Sequence, residues 1–86
     1  MPSIYRYRVF QRTDGRFHII GYDEATASTH VSPPLITFDG QARSGRTEDG
    51  IEYKLSGYPA LDMSAGATWA RYCAQEGLTG CTDVTP

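Results

Sequence analysis

Soft metal ligands are scarce in this chain: His18, His30, Cys73 and Cys81 are its only histidines and cysteines, and no two of them fall in a CxxC or HxxxH spacing. That spacing excludes the usual ways of placing two donors on one metal, and no metal or other cofactor is expected. A phosphate loop is missing too, because Ser44-Gly45-Arg46-Thr47 has neither the lysine nor the following helix that would cradle phosphates. Apolar runs are short. Phe17 to Ile20 carries a histidine inside it, far from the roughly 20 residues that span a bilayer. The N-terminus has no apolar signal core, so the expectation is a soluble protein that stays in the cytoplasm where it is made, with no membrane partner.

Charge is also scarce in sum, at −2 near neutral pH, which removes the bulk attraction to nucleic acid or to an anionic membrane. Its distribution is polar along the chain. Residues 1 to 20 carry four arginines (Arg6, Arg8, Arg12, Arg16) against Asp14 alone. Residues 47 to 86 carry six carboxylates against Lys54 and Arg71. Such a dipole suits either a partner of mixed charge or two halves that neutralise each other in the fold, the second being the ordinary fate of charges.

With 86 residues, 40% of them hydrophobic and 21% charged, the composition is that of one globular domain, residues 1–86, with one small core. Ile4 to Gln11 alternates as a strand, with Tyr5, Tyr7 and Val9 on one face and Ile4, Arg6, Arg8 and Phe10 on the other. Thr13-Asp14-Gly15 supplies a hairpin turn. Arg16 to Tyr22 is the second strand, apolar on both faces and therefore placed inside the sheet. Residues 23 to 34 read as a long loop ending in Pro33-Pro34, either a binding element or a plain connector, with a short helical turn over Glu24 to Ser28 as an alternative. A third strand runs from Leu35 to Phe38. Residues 40 to 50 form either a long hairpin whose arms continue the ladder or a mobile tongue. The fourth strand, Ile51 to Ser56, turns Ile51, Tyr53 and Leu55 inward.

Gly57-Tyr58-Pro59 ends that strand, and Asp62 or Ser64 can accept the free amides of a helix start. Ala65, Trp69, Tyr72 and Cys73 recur at helical spacing as one apolar stripe, and Gly77 stands where a left-handed cap would close the helix. The predicted fold is α+β: an antiparallel sheet of about four strands, arranged as hairpin, long loop and hairpin, with the C-terminal helix packed on one face. Its core anchors are Tyr53, Leu55, Trp69, Tyr72 and Cys73. Thr79 to Pro86 is polar, a tail that either frays or adds an edge strand through Thr82-Asp83-Val84. Without a secretory signal Cys73 and Cys81 are expected as free thiols, although Gly80 would let the tail fold back to bridge them.

The pattern Gly45, Tyr53, Leu55, Gly57, Pro59, Asp62, Trp69, Cys73, Gly77 and Thr82-Asp83-Val84-Thr85 resembles short uncharacterised open reading frames of bacteria and their phages, over about the last forty residues. A chain of this kind is also similar, in size and architecture, to the accessory proteins of mobile elements, of which anti-CRISPR inhibitors are a known class. The resemblance implies an inhibitor that acts by binding a host protein complex.

No nucleophile with an adjacent base is legible, because Cys73 sits in the helix's apolar stripe, so catalysis is not expected. The best functional signal is arginine among aromatics. Arg6 and Arg8 at i, i+2 aim from one strand face near Phe10 and Tyr22, with Arg43 and Arg46 in the second polar connection. That composition suits a protein interface, where arginine and tyrosine are common anchors. It also suits a nucleic-acid platform, on which bases stack while guanidinium groups hold phosphates. A protein-interaction module leads, and a small nucleic-acid-binding module is the alternative; an enzyme subunit using Cys73 or His18 would need a pocket joining them.

Overall fold

The first two strands set the geometry of everything that follows. The computed structural model describes residues 3–59 and 63–86, with side chains in the helix described from Gly66 onward. β1 (Ser3–Gln11) and β2 (Phe17–Asp23) form an antiparallel hairpin. Its turn is closed by Arg12 N donating to Arg16 O at 2.7 Å and by Asp14 Oδ1 accepting the Arg16 amide at 3.0 Å. Along the ladder Tyr5 faces Tyr22 and Arg8 faces Ile20, so two residues, Arg6 and Tyr7, stand against the single residue Gly21. This is a β-bulge, and Arg6 absorbs it with a left-handed φ of 46°.

The bulge corrects the simple alternation expected for β1. Ile4, Tyr7 and Val9 all point inward and are buried, while Tyr5, on the other side of the inserted residue, does not join them. Gly21 makes the insertion possible. A Cβ there would lie 2.6 Å from both Tyr5 O and Ile4 Cγ2.

The segment expected as a long loop and the one left between a long hairpin and a mobile tongue each contain a strand. β3 (Ser28–Val31) folds straight back on β2 through a turn in which Asp23 Oδ1 accepts the Ala25 amide at 2.9 Å. Ser32 carries the pairing onward: its amide donates to Ile19 O at 2.8 Å and its hydroxyl accepts the Ile19 amide at 2.9 Å. After the Pro33-Pro34 bend β4 (Leu35–Asp39) continues, with Leu35 opposite Phe17. Asp39 Oδ1 then takes the amides of Gln41 and Ala42 and returns the chain as β5 (Ser44–Thr47), which pairs with β6 (Glu52–Ser56). The 40 to 50 segment is thus the hairpin of the two alternatives, and Glu24 to Ser28 is a turn rather than helix.

β6 comes round to pair with β1, Ser3 against Lys54 and Tyr5 against Ser56, and this pairing is parallel. The expected open antiparallel sheet is therefore wrong: β1, β2, β4, β5 and β6 close into a five-stranded barrel, with β3 and β7 (Thr82–Asp83) appended to β2 and β1. The parallel seam follows from counting. Five strands that alternate in direction begin and end pointing the same way, so a ring of five must close in parallel.

Ile4, Tyr7, Val9, Ile19, Leu35, Tyr53 and Leu55 fill the barrel, with Phe17, Phe38 and Val84 packed at its ends. Burying each such side chain stabilises the fold by about 1.5–3 kcal/mol. Ile51, expected inward, lies in the β5–β6 turn and is 45% exposed.

α1 (Met63–Glu76) lies outside the barrel against β2 and β3. Trp69 stacks on Phe10 at 4.5 Å, and Tyr72 meets the His18 ring edge-on at 5.0 Å. Trp69, Tyr72 and Cys73 are thus half-buried members of a second layer, whereas Tyr53 and Leu55 belong to the barrel interior. The helix start proposed at Asp62 or Ser64, and Ala65 of the stripe, lie outside the described side chains. Gly77, at φ 66°, ends α1 with Leu78 N donating to Cys73 O at 2.9 Å. The tail then adds β7 to β1, where Asp83 faces Phe10.

Candidate functional site

The six residues expected to contact a partner are distributed over five places. Phe10 is occupied by the stack with Trp69. Arg8 reaches Asp83 at 3.7 Å, and Arg46 reaches Glu52 at 3.7 Å. Arg43 closes one end of the barrel: it donates to the Tyr7 hydroxyl at 3.0 Å and to Gly57 O, with its guanidinium 5.6 Å from the Tyr7 ring centroid. Only Arg6 and Tyr22 meet, the Arg6 guanidinium lying over the Tyr22 ring at 5.6 Å. Arg8–Asp83 and Arg16–Glu48 link the basic first hairpin to the acidic half, so the charge dipole of the sequence is partly neutralised in the fold. These exposed pairs contribute on the order of 0–1 kcal/mol each.

Around Arg6 and Tyr22 the barrel builds a shallow recess of about 270 Å³, lined also by Tyr5, Glu24, Ser56, Gly57 and Tyr58. Tyr5 is its centre. One neighbour is Tyr22, its partner on β2, and the other is Ser56, its partner across the parallel seam, with Tyr58 two residues further along. Gly57, at φ 73°, bends the chain there, and its missing side chain leaves room beside the Tyr5 ring. Tyr58 is 75% exposed.

Arg6 differs from Arg8, the other arginine of its strand. It takes part in none of the four ion pairs among the described residues, and neither does Glu24. Its backbone is left-handed, a conformation that costs a residue other than glycine about 1–2 kcal/mol. The bulge turns it out of the regular strand pattern, which is how bulges re-aim side chains beside functional sites. Tyr5, Glu24, Ser56 and Tyr58 went unrecognised in the sequence because the site forms only when β6 closes on β1; the recurring tyrosines were the one available signal.

The groups that could carry catalysis are placed differently. His18 is fully buried beneath α1, its Nδ1 donating to Ser32 O at 2.8 Å and its Nε2 left without a partner among the Trp69 and Tyr72 rings. Burial holds its pKa below the ordinary 6.5, outweighing the Ser32 hydrogen bond, which acts in the opposite direction. The ring is therefore neutral near pH 7. Burial also pushes the Cys73 thiol up, as does the neighbouring Cys81 thiol, and both cysteines are free. Among the described residues no three metal-ligating side chains cluster, and no helix is long and apolar enough to cross a membrane.

Compared with known proteins, the chain matches no family model, no curated protein and no solved structure.

Proposed function

We propose that this chain is a non-catalytic protein-interaction module that holds its partner in the recess formed by Tyr5, Arg6, Tyr22 and Tyr58. The observation that carries the reading is Arg6: a cation held in a left-handed bulge, laid over a tyrosine ring and turned into an open recess rather than onto a carboxylate. Backbone strain of this kind clusters at binding and active sites. Tyrosine and arginine are also the residues that dominate the energetics of protein interfaces. The recess replaces the Arg6/Arg8 face expected from the sequence, since Arg8 is tied to Asp83. In this reading the protein works in the cytoplasm as an accessory or inhibitory factor of a phage or mobile element and acts by occupying a site on a host protein.

The Arg6–Tyr22 stack also has the chemistry to hold a base and its phosphate, which makes nucleic-acid binding the second reading. Glu24 beside it and the net charge of −2 oppose a polyanion. Affinity capture with tagged protein at low and high salt, with and without nuclease, separates the two. Recovery of a stoichiometric protein that survives nuclease and salt, and is lost with Arg6→Glu or Tyr58→Ala, supports the module. Recovery of nucleic acid alone, falling steeply with salt, refutes it.

A further inference from the structure

The recess narrows the class of partner, on the premise that it is the interaction site. At Tyr5 both edges of β1 are already used, by Tyr22 of β2 and Ser56 of β6. A partner therefore cannot add a strand there, and its main chain gains no ladder from the barrel. The surface is shallow and has no deep apolar slot for the anchors of an amphipathic helix. It offers instead three tyrosines, Tyr22 and Tyr5 opposite each other on neighbouring strands and Tyr58 two residues past Ser56, beyond the end of β6. A polyproline II helix suits such a surface, because it needs no ladder and presents its proline rings to aromatic side chains.

Charge points the same way. Arg6 and Glu24 line one recess without pairing in it. A polyphosphate would satisfy the first and be repelled by the second. A peptide with an acidic residue at one end and a basic residue at the other satisfies both, and the two contacts fix its direction.

We infer that the recess binds an extended proline-rich peptide in the polyproline II conformation, with tyrosine rings packing on its prolines, Arg6 pairing with an acidic flank and Glu24 with a basic one. Such a segment needs no backbone ladder and brings little conformational entropy to lose.

Fluorescence anisotropy of the full chain against a labelled hexaproline flanked by one aspartate and one lysine tests this. Saturable binding is expected, weakened roughly tenfold by Tyr58→Ala, which alters an exposed side chain, and by Tyr22→Ala. Arg6→Glu should weaken it similarly and be rescued when the peptide's aspartate is replaced by lysine. A glycine-serine peptide with the same flanks should bind at least tenfold more weakly. Equal binding of the two peptides, absence of saturation into the millimolar range, or failure of the charge-swap rescue with the variant still folded by circular dichroism overturns the inference. If no peptide binds while capture of a protein partner still depends on Arg6 and Tyr58, the peptide class is wrong and the interaction site stands. If capture is indifferent to both residues, the interaction site falls as well.

Discussion

Replacing Gly21 with alanine adds one methyl group at the most tightly enclosed glycine of the barrel wall. The new Cβ would meet the Tyr5 carbonyl oxygen and Ile4 Cγ2 at 2.6 Å and Tyr7 Cα at 3.0 Å, against about 3.5–4.0 Å for an unstrained contact. Relief requires movements near 1 Å, and the neighbours cannot make them freely. Ile4 is fully buried, so its methyl would have to push into the core. Tyr5 is paired on both sides, so shifting its carbonyl loosens the hairpin or the parallel seam. Overpacking of this kind costs about 1–3 kcal/mol, offset by the roughly 0.5–1 kcal/mol that alanine gains over glycine in a strand. A net loss of about 1 kcal/mol, or on the order of 5 °C in Tm, is expected.

Urea unfolding followed by Trp69 fluorescence and far-UV circular dichroism reads the change. Gly66→Ala is the control, since among the described residues nothing lies within 4 Å of a Cβ added there and it sits in the helix, where alanine should add about 0.5–1 kcal/mol. A Gly21→Ala protein within 0.5 kcal/mol of the parent would refute the reasoning, because it would mean that Arg6 and Tyr7 do not stand against Gly21.

Arg6→Gly should be more stable than Arg6→Ala by about 0.5–1 kcal/mol, the reverse of the usual order in strands, because only glycine escapes the left-handed penalty. Urea midpoints that rank alanine equal or higher would remove the strain argument. Trp69→Ala should cost about 2 kcal/mol, half of a core aromatic deletion because the ring is half-buried on Phe10 and His18; a loss below 0.5 kcal/mol, measured by far-UV circular dichroism, would show that α1 is not anchored there. His18 is held below its unfolded pKa of 6.5 by burial, with Arg12 acting in the same direction and Asp14 and Glu76 opposing. As pH falls through that value the unfolded chain takes up a proton that the folded one refuses, so stability present above about pH 6.5 is lost below it. The urea midpoint should drop between about pH 7.5 and pH 5.5, and His18→Gln should flatten the drop; an unchanged slope in the variant would assign the effect elsewhere.

The elements with local signals were legible. Asp14-Gly15 marked the first turn, Tyr53 and Leu55 marked β6 by alternation, and Gly77 marked the end of α1, because each depends on residues a few positions apart. β3 was not legible, and β5 only as an arm of one of two alternatives, since Ser28-Thr29-His30-Val31 and Ser44-Gly45-Arg46-Thr47 lack an apolar alternation. Gly45 shows why: a Cβ there would lie 2.7 Å from Leu35 Cδ1 and 2.9 Å from Thr37 O, so the position that should display an inward side chain must have none. A better signal was present in the aspartates. Asp14, Asp23, Asp39 and Asp83 each accept the amide two residues ahead; Asp14 does so within the first turn, and the other three are the last residues of their strands. Barrel closure was beyond local reading altogether, because it pairs Tyr5 with Ser56 across fifty residues.

The inserted residue in β1 then has two effects that cannot be separated. Without it, Ile4 would fall on the opposite face from Tyr7 and Val9, and the barrel interior would lose its contact at the parallel seam. With it, one residue must leave the regular alternation, and that residue is Arg6. The same count of two against one at Gly21 both packs the core and projects the cation over Tyr22. The recess also spans β1, β2 and the residues after β6, so it exists only in the closed barrel. A ligand of that recess must therefore stabilise the seam by mass action, and an unfolded or opened chain should not compete for it.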